Sequence, residues 1–461
     1  KSKYKKILAD TLSPVSIYMK IRDVFSNSLL LESSEYNQNN KNFSYICCNP
    51  IASIQIKKNQ LVTQYPDGKK LVENISKDAN ITDKIHSFSQ QFKVKDYPFK
   101  FISNGLFGYI AHDAIEYFEN IKLDETKGSH EIPDLYYAIY QNVIAISLFN
   151  HEAHIFSHTY NTSHNIGMIS QLLQNNHTST FKFKKVGNKN SNLTDNQFIN
   201  FVIKAKEHCQ RGDVFQLVLS RSFSQKFHGD EFNVYRSLRS INPSPYLFFF
   251  DYGNFKIFGS SPEAQLIIEN NMAEIHPIAG TFRRTGDDKK DAKSALKLAK
   301  DPKENSEHIM LVDLARNDLS RNGSNVVVEK NREIQFFSHV IHLVSKVTCL
   351  LKRDVNSFQV VADTFPAGTL SGAPKHSALK LIDQYEKTKR NFYGGAIGYM
   401  DFNGNFNHAI IIRSFLSKNQ ELNYQAGAGI VANSVPENEL QEVYNKLGAL
   451  DKALKNAEEI I

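Results

Sequence analysis

Apolar and polar residues change their period along this chain, and the change divides it. Through the first 160 or so residues the period is short: SYICCNPIASIQIKK, YYAIYQNVIAISLFN and HEAHIFS read as strands joined by turns, with few long helical stretches. Residues 174–196, QNNHTSTFKFKKVGNKNSNLTDN, then lose the apolar pattern and fill with Asn, Lys, Ser and Thr, as a linker or a long surface excursion does. A boundary there separates an N-terminal unit, residues 1–175, from a second unit, residues 191–461.

The second unit opens on a helix. Thr194 and Gln197 make a capping box, and Phe198, Phe201, Val202, Ala205 and Cys209 follow at helical spacing until Gly212 stops the run. VFQLVLSRSF then predicts a strand. A further helix is predicted in DPKENSEHIMLVDLARND, with Asp301 as its cap and Pro302 at its first position. Ile309, Met310, Leu311, Val312, Leu314 and Ala315 leave no polar face over that turn, so the helix is expected to be buried, with Glu304, Glu307 and His308 at its entry. Carboxylates placed there need a partner or a metal. A last helix is predicted from a Ser434–Glu437 capping box, with Leu440, Val443, Tyr444 and Leu447 as its apolar stripe and Glu439, Glu442 and Lys446 on the adjoining face. Just upstream, AGAGIVANSVP puts Gly427 and Gly429 where a backbone can approach a ligand, followed by a helix start that favours an anion.

FPAGTLSGAPK, residues 365–375, has the glycines and the lysine of a phosphate cradle but not its spacing. Three residues separate Gly368 from Gly372, Pro374 removes an NH donor, and His376 stands where a Ser or Thr would meet magnesium. What remains is a small-residue turn whose NH groups and Thr369 hydroxyl suit another anion, such as a carboxylate.

Composition narrows the picture further. With 461 residues, 41% of them apolar, the chain can build a large core, yet no apolar run approaches the roughly 20 residues of a membrane span. The opening KSKYKKILADTLSPV lacks the apolar core of a signal peptide, so the expected location is the cytoplasm. Cys47, Cys48, Cys209 and Cys349 form no CxxC pair, which argues against zinc and against a disulfide framework. A net charge of +7 is spread over 55 basic and 48 acidic residues, which gives little support to nucleic-acid binding.

HPIAGTFRRTG, EHIMLVDLARNDL, SHVIHLVSKV, FPAGTLSGAPK, AIIIRS and QAGAGIVANSVPENELQEVYNK, in this order, resemble the chorismate-binding enzymes, and the N-terminal LLLESSE extends the resemblance over essentially the whole chain. That family implies an α/β (α+β) fold in which two packed, largely antiparallel sheets are flanked by helices, with the active site in a cleft between the halves. It makes residues 191–461 the catalytic unit and residues 1–175 the unit carrying a regulatory pocket. The cofactor it implies is Mg2+, on Glu307 and Glu442, with Glu304 and Glu439 as supporting or alternative ligands. The enolpyruvyl carboxylate of chorismate falls to Tyr393 and Arg413, and the ring carboxylate to Gly427, Gly429 and Lys446. Gly280, Thr281 and Thr369 border the substrate. His342 is implied as the proton-transfer group of the step that expels pyruvate, and Glu263 as the acid that helps the hydroxyl leave.

Within the family, water-adding synthases carry a lysine at the position of Gln216. A neutral amide is no base at neutral pH but can border the path of ammonia, so a nitrogen nucleophile is expected. Aminodeoxychorismate synthases of the folate branch, the alternative among nitrogen users, carry a lysine where this chain has Ala279, and a methyl group offers no nucleophile. The expected reaction is therefore chorismate plus ammonia giving anthranilate and pyruvate, the committed step toward tryptophan. A catalytically dead binding scaffold is the alternative of another class, disfavoured because the acids and bases are all present. No glutaminase triad is evident, so a separate glutamine amidotransferase subunit is the expected partner. Relatives usually read GAPKVRAM, and His376 and Ser377 depart from it, so a salt bridge or partner contact is expected to be missing. The resemblance also implies an L-tryptophan pocket walled by Leu31, Glu32 and Ser33 on one side and Pro243, Ser244, Pro245, Tyr246 and Leu247 on the other. Glu32 and Ser33 are expected to take the ammonium together, and Asn42 stands where the family often has a basic residue.

Overall fold

The computed structural model describes residues 1–33, 43–76, 79–95, 97–99, 101–175, 178–336 and 340–460. Its 22 strands join in one hydrogen-bonded network whose ladders are antiparallel. Two long strands, Phe43–Lys57 and Leu135–Ser147, explain how two layers become one network. They pair with each other along their whole length, but their outer neighbours change part-way. Around residues 43–48 those neighbours are Leu29–Ser33 and Glu152–His158; beyond Pro50 they are Gln60–Gln64 and Gly105–Ile110. The change falls at a bulge between Pro50 and Ala52, next to Asn49 at a left-handed φ of 60°. A bulge bends a strand pair, and here it carries both strands from one layer into the other.

One layer continues from Leu29–Ser33 through Tyr246–Asp251, Lys256–Ser261, Ser414–Lys418 and Glu421–Ile430 to Gln216–Gly229. The other continues from Gly105–Ile110 through Ala396–Asp401, Phe406–Ile410, Ala264–Glu269 and Met272–Ile275 to Val340–Leu351. Side-chain alternation sorts the core to match. Leu29, Leu31, Tyr45, Phe107, Phe248 and Ile397 share one cluster, while Leu30, Ile46, Leu106 and Phe249 join a second one that includes helix residues such as Ile17, Phe232 and Val443. The two-sheet, helix-flanked architecture expected from the sequence is present. No helix among the described residues is long and apolar enough to cross a membrane.

Strands from either side of residues 176–190 are interleaved in both layers, since Leu29–Ser33 pairs with Tyr246–Asp251 and Gly105–Ile110 with Ala396–Asp401. Part of the polar stretch is itself a strand, Phe183–Ser191, lying largely exposed against the end of Gln216–Gly229. Lys189 and Lys185 tie it to Asp451 and Glu458, so its polar residues serve an edge and a helix contact.

The helix predicted from Thr194 spans Asp195–Arg211, with the capping box formed and Gly212 in the left-handed conformation at φ 84°. The other two predicted helices differ in detail. Pro302–Ser320 is not buried all round: Ile309 is 48% exposed, and Asp313, Arg316 and Asn317 share its outer face. Its other side, with Leu311, Val312 and Ala315, packs on Ile278–Arg283 and Val340–Leu351. The last helix runs Pro436–Asn456 without the Ser434–Glu437 box, because the Ser434 hydroxyl turns back to accept the Val431 NH at 3.1 Å and Pro436 begins the helix. It packs on Glu421–Ile430 and on helices Asp195–Arg211 and Phe232–Ile241. The helices bearing Glu307 and Glu442 thus cover different layers. The short helix Gly368–Ser371 touches both halves, through Pro302–Ser320 and through Glu421–Ile430.

Candidate active site

The short helix Gly368–Ser371 settles the role of FPAGTLSGAPK. A Cβ at Gly368 would stand 2.2 Å from the Leu314 Cδ2, so a larger residue there would require Leu314 to move before this turn could sit as closely against helix Pro302–Ser320. Lys375 is engaged within the protein: its ammonium donates to Asp318 at 2.8 Å and to the Thr364 carbonyl at 3.0 Å, tying the turn to the same helix. Thr369 is the residue turned to the site, and its hydroxyl donates to the Glu263 carboxyl at 3.1 Å.

Glu263 sits between strands Lys256–Ser261 and Ala264–Glu269 and is buried. Burial pushes its pKa up to about 8, against the opposing pull of the Thr369 hydrogen bond and of the Lys446 and Arg413 charges. Glu263 is therefore a carboxylic acid at neutral pH, with a proton to give.

Arg413 links the parts of the site. Burial lowers its pKa, and the groups pulling the other way are Tyr393, Glu442 and Glu263; Arg413 also acts on His342. Its backbone is left-handed at φ 49°, a conformation that costs a non-glycine residue about 1–3 kcal/mol. Tyr393 is buried, which raises its hydroxyl pKa to about 12, and that hydroxyl is hydrogen-bonded to the Gly427 backbone. A Cβ at Gly427 would lie 3.2 Å from it and 2.7 Å from the Leu219 carbonyl. From the last helix, Lys446 donates to the Gly427 carbonyl at 2.8 Å and pairs with Glu442 at 2.6 Å. Gln216 lies over Gly429, where a Cβ would come within 2.6 Å of its Nε2. Among the described residues the buried Gln216 Oε1 accepts no hydrogen bond.

His342 faces this group from the other layer. Its Nδ1 lies 2.8 Å from the Gly280 carbonyl, which can only accept, so Nδ1 carries the hydrogen and Nε2 keeps the basic lone pair. Burial lowers the His342 pKa, with Arg413 adding to the effect, so the ring is neutral and competent as a base at neutral pH. Gly280 adopts φ 68°, and a Cβ there would meet Leu298 at 2.7 Å and a Glu304 carboxylate oxygen at 3.0 Å. The Thr281 backbone pairs with His342, and the Thr281 side chain lies outside the described set. Glu307 follows Glu304 by three residues, its Oε1 shut away from solvent, and Glu439 is buried on the last helix. Contacts join Glu263 with Thr369, and Tyr393 with Gly427, Lys446 and Glu442, while Arg413 lies close enough for its charge to act on Glu263, Tyr393, Glu442 and His342; Gln216 and Gly429 stand on the glycine side.

The segments expected to wall a regulatory pocket are adjacent strands. Leu31 pairs with Phe248, Glu32 with Leu247, and Ser33 with Tyr246, which follows Pro243, Ser244 and Pro245. Here the expectation is corrected in one respect. Alternation turns Leu31 and Ser33 to one face and Glu32 to the other, where its carboxylate accepts from the Tyr235 hydroxyl at 2.6 Å and from Arg239 Nε at 2.9 Å. Glu32 and Ser33 therefore do not present a joint ammonium site. Asn42 lies outside the described residues. His376 is exposed, its Nε2 3.4 Å from the Asn120 carbonyl.

The family model for chorismate binding enzymes matches residues 26–452. The chain belongs to this family. Among curated chorismate-binding relatives, it is 35% identical to anthranilate synthase component 1 of Aquifex aeolicus, over 99% of this chain and 95% of that one. It is 36% identical to the protein of the same name from Lactococcus lactis, over 98% and 99%. The crystal structure of anthranilate synthase component I from Streptococcus pneumoniae superposes with a TM-score of 0.78 at 30% identity, covering 96% of this chain and 98% of the other. Sequence reasoning missed one group behind this chorismate-family site: Arg390, fully enclosed and 5.7 Å from the Tyr393 ring centre. Its setting, YEKTKRNF, reads as a solvated charge run, and only the apolar NFYGG that follows hints otherwise.

Proposed function

We propose that this chain is the synthase component that converts chorismate and ammonia into anthranilate and pyruvate. The observation that carries the reading is likeness along nearly the full length to chains named anthranilate synthase component 1. Gln216 supports ammonia as the nucleophile, because its amide can accept a hydrogen bond from NH3 yet cannot deprotonate water. Ala279 disfavours a lysine adduct on the ring.

Chorismate must be held by two carboxylates, lose a hydroxyl, and later lose a ring proton together with pyruvate. Arg413 and Tyr393 suit the enolpyruvyl carboxylate, and Gly427, Gly429 and Lys446 the ring carboxylate. In the first step the ammonia nitrogen bonds to a ring carbon, the double bond shifts, and the hydroxyl leaves as water with the Glu263 proton. In the second, His342 Nε2 takes the proton from the carbon bearing the new amine. The electron pair aromatises the ring and the carbon–oxygen bond breaks, releasing the side chain as enolpyruvate, which becomes pyruvate on protonation.

Glu307 and Glu442, with Glu304 or Glu439 beside them, offer the hard oxygen donors that Mg2+ prefers. Among the described residues no three His, Cys, Asp or Glu side chains gather as a metal site, and Glu442 is paired with Lys446 at 2.6 Å. When bound, Mg2+ would neutralise substrate carboxylate charge. A glutamine amidotransferase subunit is the proposed ammonia source, the cytoplasm the proposed location, and L-tryptophan the proposed inhibitor, acting at the strand pair of Leu31, Ser33 and Tyr246. Incubation with chorismate, MgCl2 and an ammonium salt tests the reaction: anthranilate fluorescence with stoichiometric pyruvate supports it, and isochorismate or aminodeoxychorismate as product would replace it.

A further inference from the structure

The edge of strand Gln216–Gly229 has a gap. On the side away from Glu421–Ile430, residues 216–217 pair with Gly372–Ala373, and pairing with Phe183–Ser191 begins only at Phe223. Between these ladders no strand of the described residues covers the edge, yet the strand is buried there, and buried backbone groups need partners. Asn192 meets the NH and the carbonyl of Ser222 at one end of the gap, and two other side chains meet its middle. The Ser220 NH donates to Glu386 Oε1 at 2.8 Å, and the Val218 carbonyl accepts from Arg390 Nη2 at 2.7 Å. Glu386 and Arg390, one helical turn apart in sequence, are 5% and 2% exposed, and they close on each other with bonds of 2.6 and 2.9 Å.

The pair reaches three pieces of the site at once. Arg390 Nη1 donates to the Leu370 carbonyl at 2.6 Å, fixing the turn that presents Thr369 to Glu263. Through Val218 and Ser220 it fixes the strand that begins with Gln216 and pairs Ser220 with Gly427. Its guanidinium also stands 5.7 Å from the Tyr393 ring centre. We propose that Glu386 and Arg390 replace a missing strand and act as positioning residues, setting the spacing between Thr369, Gln216 and Tyr393 while touching no substrate. A planar fork of five donors can serve Glu386 and two carbonyls together; an ammonium cannot.

The assay rests on the anthranilate-forming reading, so turnover by the unmodified enzyme is measured first, and its absence counts against that reading alone. In that event the same variants are judged by chorismate affinity in titration calorimetry. Arg390→Lys keeps the charge, and we expect it to fold with a melting temperature near that of the parent while kcat falls about a hundredfold, the scale of a misplacement near 1 Å. Arg390→Met leaves a buried carboxylate without its cation and should melt well below the parent; adding Glu386→Gln removes that charge and should restore much of the melting temperature, but not kcat. A folded Arg390→Lys with parental kcat, or a double variant whose kcat recovers in step with its melting temperature, would overturn the proposal.

Discussion

Replacing Glu263 with Gln isolates the proton from the shape of the acid. At pH 7 a carboxyl with a pKa of about 8 is roughly 90% protonated, whereas at the ordinary value of 4.5 it would be roughly 0.3% protonated, a difference of about 300-fold in available acid. Burial produces that difference, and the Thr369 hydrogen bond opposes it. Glutamine keeps the volume and can still meet Thr369, but it has no proton to transfer. The expected loss in kcat is about 10^2 to 10^4, or about 2.7–5.4 kcal/mol in the barrier. Anthranilate fluorescence is recorded from pH 6 to 9 at saturating chorismate, with rates normalised to the free ammonia present. The parent should lose activity above about pH 8 as Glu263 ionises, and Glu263→Gln should be slow with that limb gone. The shift also bears on stability. Between about pH 4.5 and 8 the folded chain holds a proton that the unfolded chain has released, so this group's contribution falls as pH rises, and Glu263→Gln should melt relatively later at pH 8 than at pH 5. A Glu263→Gln enzyme with parental kcat, or one that keeps the alkaline limb, would refute the acid assignment.

Other substitutions probe the remaining roles. Glu442→Ala removes a proposed Mg2+ ligand and the partner of Lys446, and it should abolish turnover with ammonia; near-normal rates at saturating MgCl2 would reject the ligand assignment. His342→Met removes the proposed base of the second step, so an amino-substituted intermediate should accumulate in chromatography while pyruvate release stalls, and full loss of activity without that species would place His342 elsewhere. L-Tryptophan should inhibit at millimolar concentration or below, and Ser33→Leu, beside Tyr246, should relieve it with kcat unchanged; equal inhibition of both enzymes would remove this pocket from the account.

Local signals in the sequence were reliable where one stretch decides its own structure. Thr194, Gln197 and Gly212 bound their helix because caps act within a few residues. They failed where a distant segment competes. Ser434 spends its hydroxyl on Val431 rather than on a capping box, and the apolar run after His308 still leaves Ile309 in solvent because only part of its helix is covered. The short period of SYICCNPIASIQIKK identifies a strand, but nothing in it says that the strand changes layers at Pro50. Most roles in the candidate site were named through the family motifs, while the residues alone had picked out the Glu442–Lys446 face, Glu304 and Glu307 at a helix entry, the Thr369 turn and the close approach at Gly427 and Gly429. Arg390 and Glu386 were invisible for a physical reason: an i,i+4 pair of opposite charge reads as a solvated helix face unless burial is known.

The central claim is that this chain uses ammonia to make anthranilate. Purified protein, chorismate, MgCl2 and 15N-labelled ammonium chloride, followed by mass spectrometry of the aromatic product, test it most directly. Anthranilate carrying one 15N, formed in equal amount with pyruvate, is the predicted result. Unlabelled isochorismate or salicylate, or a 4-amino product that retains its enolpyruvyl group, would contradict it.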